Sequence, residues 1–94
     1  MGLRIRYSEN PLKYIYSDEY DLVISMLVKA RKSGGVTQIQ LAKTLNKPQS
    51  FVSKYERGER KLDVVEFVLI ARTLNVDPHF IVTEIINFQI ENGK

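Results

Sequence analysis

Two short helical segments separated by three turn residues constrain this chain more than any other feature. Thr37 and Gln40 form a capping box, in which the threonine caps a helix and the glutamine three residues later reaches back to it. The helix that they open is predicted to end near Leu45. The next residues, Asn-Lys-Pro, predict a tight turn, because asparagine tolerates a positive φ angle. A second short helix is predicted from about Gln49 to Arg57.

Three longer segments carry further residues that start helices. The first opens on Ser17, and its buried stripe recurs three and four positions apart until a Ser-Gly-Gly stop. The second opens on Asp63 and Glu66, another capping box, and the third on Asp77, which precedes a proline. Gly58 supplies the left-handed residue that ends the second short helix. No internal repeat is identified, and the sequence predicts an all-α fold, a compact bundle of five helices.

The chain is predicted to form one domain, because its 94 residues are too few for two separate cores. The predicted helices all lie within residues 17–94. Residues 1–16 lack helical periodicity, and Asn10-Pro11 interrupts a short alternating stretch. We therefore expect residues 1–16 to form an extended or flexible N-terminal arm.

Composition and motifs argue against several classes of function. The chain has no cysteine, which rules out a disulfide scaffold and a thiolate zinc site. Its single histidine, His79, belongs to no cluster with metal-ligand spacing, and no glycine-rich phosphate loop or activated nucleophile is found. We therefore expect no enzyme, no metal and no cofactor. Without a leader or an apolar run near the ~20 residues that span a bilayer, a cytoplasmic protein is expected.

The basic residues are concentrated around the two short helices. Residues 29–61 contain nine Lys or Arg and two Glu, a net charge of +7, whereas the whole chain carries +3. A basic block in an otherwise near-neutral chain indicates an acidic partner such as nucleic acid. A solvated lysine-rich surface has the same composition, so charge alone does not separate the two.

At about 100° per residue, the second short helix divides into a polar and an apolar face. The polar face is formed by Gln49, Ser50, Ser53, Lys54 and Arg57. The apolar face is formed by Phe51, Val52 and Tyr55. In the DNA major groove, glutamine pairs with adenine, lysine with guanine, and serine with base edges or phosphates. A solvated helix surface shows the same pattern, so this face alone leaves both interpretations open.

The first short helix, the turn and the polar-faced helix together form a helix-turn-helix. The sequence TQIQLAKTLNKPQSFVSKYERGERKL, followed by IARTLNVDP, resembles the Cro/CI-repressor type, or XRE type, of helix-turn-helix domain. The elements T-Q-x-x-L-A and S-K-Y-E-x-G carry the resemblance, which extends over residues 20–82. It implies a lambda-repressor-like five-helix bundle with its motif at about 38–57. It also implies a transcriptional regulator, most often a repressor, that binds double-stranded operator DNA as a dimer on a near-palindromic site.

The resemblance further implies roles for single residues. Base edges would be contacted by Gln49, Ser50 and Lys54. The DNA backbone would be contacted by Gln38, Ser53, Arg57 and Lys61. Arg31 and Glu56 would form a structural ion pair, which would turn this glutamate away from the groove.

The chain departs from the family pattern at three positions. Asn46 stands where glycine is usual, and Lys47 stands where an apolar residue is usual. Phe51 stands where small or hydroxyl residues are more common. Its ring either touches a thymine methyl or covers the core, and we favour the core.

The last predicted helix is apolar over about 200° of its circumference, where a helix on a small core needs about 100°. The excess must be covered, either by the LKYIY segment near the N-terminus or by a second copy of the chain. We favour a homodimer, with Ile81, Ile85 and Phe88 as candidates for its interface.

Two other interpretations stay open. In one, the protein is an antitoxin-like or other interaction module whose last helix binds a partner protein. In the other, it coats DNA without sequence preference, which predicts strong salt dependence. Arg4, Arg6 and Lys13 form either an arm that reaches DNA or a solvated tail, and we favour the tail. Neither a membrane nor a small-molecule effector is expected as a partner.

Overall fold

The computed structural model describes residues 17–94 and contains five α-helices and no strand within that range. The helices are α1 (Asp18–Ser33), α2 (Gln38–Thr44), α3 (Gln49–Glu56), α4 (Val64–Thr73) and α5 (Pro78–Glu91). The predicted all-α fold of five helices is confirmed. The N-terminal arm expected at 1–16 lies outside the described residues. None of the helices within residues 17–94 has the length and apolar character that a transmembrane span requires.

Side chains cap four of the five helices at the positions that the sequence indicates. The Ser17 hydroxyl accepts a hydrogen bond from the Tyr20 amide at 3.1 Å. Complete capping boxes open α2 and α4, and an aspartate carboxylate caps α5. The N-cap of α3 is Pro48, whose side chain makes no cap hydrogen bond. Since α3 is also short, its position depends on packing against its neighbours rather than on its own ends.

One hydrophobic core holds the five helices together. Its buried members are Ile24, Leu27, Leu41, Ala42, Leu45, Phe51, Val52, Tyr55, Leu62, Ile70, Ala71 and Ile81. α2 and α3 form the most extensive helix–helix contact of the bundle, and the small side chain of Ala42 in α2 is buried. α1 packs against both α3 and α5. The apolar face expected on α3 is therefore the face that joins the core.

The turn between α4 and α5 repeats the turn between α2 and α3. The sequence is Ala-Lys-Thr-Leu-Asn at 42–46 and Ala-Arg-Thr-Leu-Asn at 71–75. Both asparagines have positive φ angles, 56° at Asn46 and 59° at Asn75. In both copies the amide after the asparagine donates to the carbonyl of the opening alanine, at 2.9 and 2.8 Å. The same five-residue helix stop therefore occurs twice in the described part of the chain.

Replacing each of the two turn asparagines by alanine or by glycine tests whether this helix stop depends on the left-handed backbone conformation. The left-handed conformation costs an alanine about 1 kcal/mol or more and costs glycine little. We expect Asn46→Ala and Asn75→Ala each to lower the melting temperature, and the corresponding glycine variants to match or exceed the wild type. Circular dichroism during heating measures both.

Asn92 provides the control for these variants, because its φ angle is −100°. At Asn92, the glycine variant should have no higher melting temperature than the alanine variant. Equal melting temperatures for the alanine and glycine variants at both turns would contradict the assignment of the stop to backbone conformation.

Candidate nucleic-acid interface

The polar face of α3 is open to solvent. Gln49, Ser50 and Lys54 are exposed, and Ser53 is half-buried beside them. The Ser53 hydroxyl donates to the carbonyl oxygen of Ser50 at 3.4 Å. α3 thus presents one amide, two hydroxyls and one ammonium group together, all of which can donate hydrogen bonds.

Phe51 anchors α3 and is only 8% exposed, which assigns it to the core rather than to the polar face. Its ring meets the ring of Tyr55 edge to face, with 5.7 Å between the centroids. The Arg60 guanidinium lies 4.7 Å from the Phe51 centroid, and the Lys47 ammonium lies 5.5 Å from it. These cation–π contacts give Lys47 a partner at a position where the family more often has an apolar residue.

A nearly buried ion pair joins the end of α1 to the end of α3. Arg31 Nε donates to Glu56 Oε2 at 2.6 Å, and Arg31 Nη2 donates to Glu56 Oε1 at 2.9 Å. The two side chains are 9% and 7% exposed. The third contact of the guanidinium is the Val36 carbonyl, at 2.9 Å. These hydrogen bonds to Glu56 raise the pKa of Arg31, and they hold the Glu56 carboxylate away from the polar face.

Gln38, at the start of α2, belongs to the same network. Its Nε2 donates to Glu56 Oε1 at 2.9 Å, and the side chain is half-buried. Since Glu56 Oε1 also accepts from Arg31, one carboxylate oxygen links three helices. The direction of the Gln38 amide is therefore set by the protein before any partner binds.

The basic residues that follow α3 differ in whether their side chains are paired with a carboxylate. Arg57 Nε donates to Glu59 Oε2 at 2.5 Å, and both side chains are more than half exposed. This contact raises the pKa of Arg57 and lowers the pKa of Glu59. Arg60 instead forms a two-pronged contact with Glu66, at 3.0 and 2.9 Å. Lys61 is exposed.

Comparison with known proteins supports the interpretation of these helices as a helix-turn-helix domain. The sequence model of the helix-turn-helix family matches residues 27–81, more than half of the chain. Among solved structures, an XRE-family like protein from Pseudomonas syringae pv. tomato str. DC3000 is 39% identical, over 85% of this chain and 98% of that one, with a TM-score of 0.75. The chain belongs to the XRE-type helix-turn-helix family. No curated protein matches it.

Membership of the XRE-type family identifies the protein as a DNA-binding regulator and makes α2 and α3 its helix-turn-helix. The resemblance drawn from the sequence is confirmed. In this family setting, the exposed polar face of α3 is the candidate DNA-reading surface, and the network around Glu56 is its support. No group of three or more His, Cys, Asp or Glu that could hold a metal ion occurs within the described part of the chain.

The structure corrects one of the residues proposed for a dimer interface. Ile81 is fully buried in the single chain and packs in the core, so its side chain is not available to a second copy. Ile85 and Phe88 are half-buried. The exposed apolar residues of this XRE-type α5 are Phe80, Val82, Ile86 and Ile90. Val82, Ile86 and Ile90 belong to the apolar arc expected from the sequence, but an arc of about 200° does not reveal which part faces the core, so they were not chosen as interface candidates.

Sequence reasoning also missed two partners of the basic residues, Glu59 for Arg57 and Glu66 for Arg60. Glu66 was recognised only as half of a capping box, but it serves both roles, since its Oε1 also accepts from the Asp63 amide at 3.0 Å. The available signal was the presence of acids two and six positions after arginines in a basic segment. That signal is weak, because most such charges are separately solvated.

Removing Arg31 tests the support of the XRE-type α3. The Arg31→Met variant leaves the Glu56 carboxylate nearly buried without its cation, which typically costs about 3–5 kcal/mol of stability. Urea denaturation followed by circular dichroism measures the loss. The matched control is Arg57→Met, which removes the same group from an exposed pair and should change stability little. Equal losses for the two variants would contradict the structural role of Arg31.

Proposed function

We propose that this protein is a sequence-specific regulator of transcription that reads double-stranded DNA with the polar face of α3. The observation that carries the proposal is an exposed, acid-free face on a helix whose opposite face is locked into the core. The one acid of α3, Glu56, is held back by Arg31 and Gln38. A DNA backbone therefore meets no carboxylate on α3 itself.

Base reading is proposed for three exposed residues of α3. Gln49 can donate to and accept from adenine, since its amide offers both functions at one edge. Lys54 can donate to the guanine acceptors O6 and N7. Ser50 can bond either a base edge or a phosphate. Their positions near the start and middle of α3 correspond to the part of a recognition helix that enters the major groove.

Backbone contacts are proposed for Gln38, Ser53, Arg57 and Lys61. Such contacts set the register of a protein on DNA without reading its sequence. Gln38 and Ser53 are half-buried, whereas Arg57 and Lys61 are exposed. The net charge of +7 over residues 29–61 favours approach to any duplex.

Two alanine variants test the base-reading assignment. The cognate site is first selected from a random duplex library at a salt concentration of about 150 mM, where purely electrostatic binding is already weakened. Gln49→Ala and Lys54→Ala should then each weaken binding to that site by about 1–3 kcal/mol, with a much smaller loss on random DNA. Fluorescence anisotropy with labelled duplexes measures both affinities.

Lys94→Ala is the charge-matched control, because Lys94 is bonded to Glu19, at the opposite end of α1 from Arg31. It should leave both affinities close to wild type. Equal losses on cognate and random DNA for Gln49→Ala and Lys54→Ala would refute base reading. Failure to select any site would favour non-specific coating of DNA.

We further propose that the protein acts as a homodimer and represses transcription by occupying a near-palindromic site. The exposed stripe of Val82, Ile86 and Ile90 supports a dimer, since these residues lie four apart on one side of α5. The half-buried Ile85 continues the stripe toward α1 and α4. Helix-turn-helix dimers bind half-sites one helical turn apart, about 34 Å, which is the spacing expected of such a near-palindromic site.

Introducing a charge into this stripe tests the dimer. Ile86→Lys places an ammonium group where a second copy would pack, so we expect it to shift the protein from dimer to monomer in sedimentation velocity at micromolar concentration. The control is Asn87→Lys, which adds the same charge at the next, exposed position of α5. A dimer that persists in Ile86→Lys would place the interface elsewhere.

The same stripe supports the alternative function. If the wild-type protein sediments as a monomer, an antitoxin-like or other module that binds a partner protein through α5 becomes the better account. The apolar surface would then be covered by a different chain. Purification from the source organism would recover that chain with the protein, and Ile86→Lys would lose it while Asn87→Lys would keep it.

A further inference from the structure

Glu59 is an acidic residue close to the proposed DNA-binding surface, where a negative charge repels the phosphate backbone. Between residues 38 and 61, all of which the structure describes, the acids are Glu56 and Glu59. Glu56 is nearly buried in its pair with Arg31. The Glu59 side chain is 54% exposed. It is thus the carboxylate of this segment that a nearby phosphate backbone would meet.

The backbone fixes Glu59 close to the end of α3. The Glu59 amide donates to the carbonyl of Lys54 at 2.8 Å, and the Gly58 amide donates to the carbonyl of Tyr55 at 3.1 Å. This paired arrangement is a Schellman stop, and Gly58 provides the positive φ angle of 76° that the stop requires. Because two hydrogen bonds define the path of the chain here, Glu59 stays beside α3 whichever rotamer its side chain adopts.

The Glu59 carboxylate engages a residue that is proposed to contact DNA. It accepts from Arg57 Nε at 2.5 Å and from Arg57 Nη2 at 3.3 Å. The hydrogen bond from Arg57, together with the positive charges of Arg57 and Lys54, lowers the pKa of Glu59, so the carboxylate is ionised at neutral pH. By contrast, Arg60 is engaged with Glu66 and with the ring of Phe51. Arg57 is therefore the exposed arginine of this segment, and its partner Glu59 is exposed as well.

We propose that Glu59 competes with DNA phosphate for Arg57 and thereby limits the affinity of the protein for DNA of any sequence. The inference rests on the proposed function in one respect, namely that Arg57 contacts the DNA backbone. When Arg57 turns to a phosphate, Glu59 loses its partner and remains near the duplex as an uncompensated negative charge. Binding then releases a cation from the DNA but recruits one to Glu59, which reduces the net release.

The test compares Glu59→Gln with wild type on a random-sequence duplex, by fluorescence anisotropy over a range of salt concentrations. We expect Glu59→Gln to bind about two- to five-fold more tightly, the range of an exposed charge contact. The slope of log affinity against log salt should steepen by up to about 0.9, one additional net cation released. Circular dichroism should show an unchanged fold, because the Glu59 side chain is exposed.

Glu91→Gln is the matched control, since it makes the same substitution at an exposed glutamate that ends α5. It should change neither the affinity nor the salt slope. In an Arg57→Gln background, the gain from Glu59→Gln should shrink, because the competition requires both residues. An affinity gain of the same size in that background would mean that Glu59 only repels the DNA and does not compete for Arg57, which would overturn the inference.

The outcomes separate this inference from the proposed function. Wild-type binding to duplex DNA that is unchanged in Glu59→Gln overturns the inference and leaves base reading by α3 intact. Wild-type protein that binds no duplex at low salt overturns both. Tighter binding by Glu59→Gln to random DNA, with a smaller gain in the Arg57→Gln background, supports the inference even when library selection yields no preferred site.

Discussion

The ion pair between Arg31 and Glu56 is the interaction on which the arrangement of the bundle around α3 depends. α3 has eight residues and no side-chain cap at its start, so it does not hold its own position. The pair ties its last residue to the last turn of α1, and Gln38 ties the same carboxylate to α2. Two charges nearly removed from water are tolerable only together. The outward face of α3 is therefore positioned by what lies behind it.

Local chemistry made most of the fold predictable from the sequence. Helix starts follow from side chains such as Ser17 and Asp63, each of which bonds an amide within the next three residues. The positive φ angle at Asn46 follows from the tolerance of asparagine for that conformation. The buried side of α3 follows from the spacing of Phe51, Val52 and Tyr55. These features need only a few neighbouring residues, which a single sequence displays.

Features that depend on packing between helices were harder to predict from the sequence. Ile81 and Ile86 are chemically identical and lie on the same helix, yet one is fully buried and the other is half exposed. The cations over the Phe51 ring come from the turn before α3 and the loop after it, so periodicity does not bring them together. The Arg31–Glu56 pair spans 25 positions, and only the resemblance to a known family suggested it.

The repeated helix stop has a consequence for how proteins built in this way diversify. The segments ending at Asn46 and Asn75 depend on a buried alanine, a leucine and a left-handed asparagine, none of which lies on the outer surface of the following helix. α3 and α5 accordingly leave equivalent turns with different outward chemistry, since the outer face of α3 is polar whereas α5 carries the exposed aliphatic stripe of Val82, Ile86 and Ile90. Substitutions on either outer surface leave the residues that define the two turns unchanged. The outer surfaces of α3 and α5 can therefore change independently of each other during evolution, while the path of the backbone stays the same.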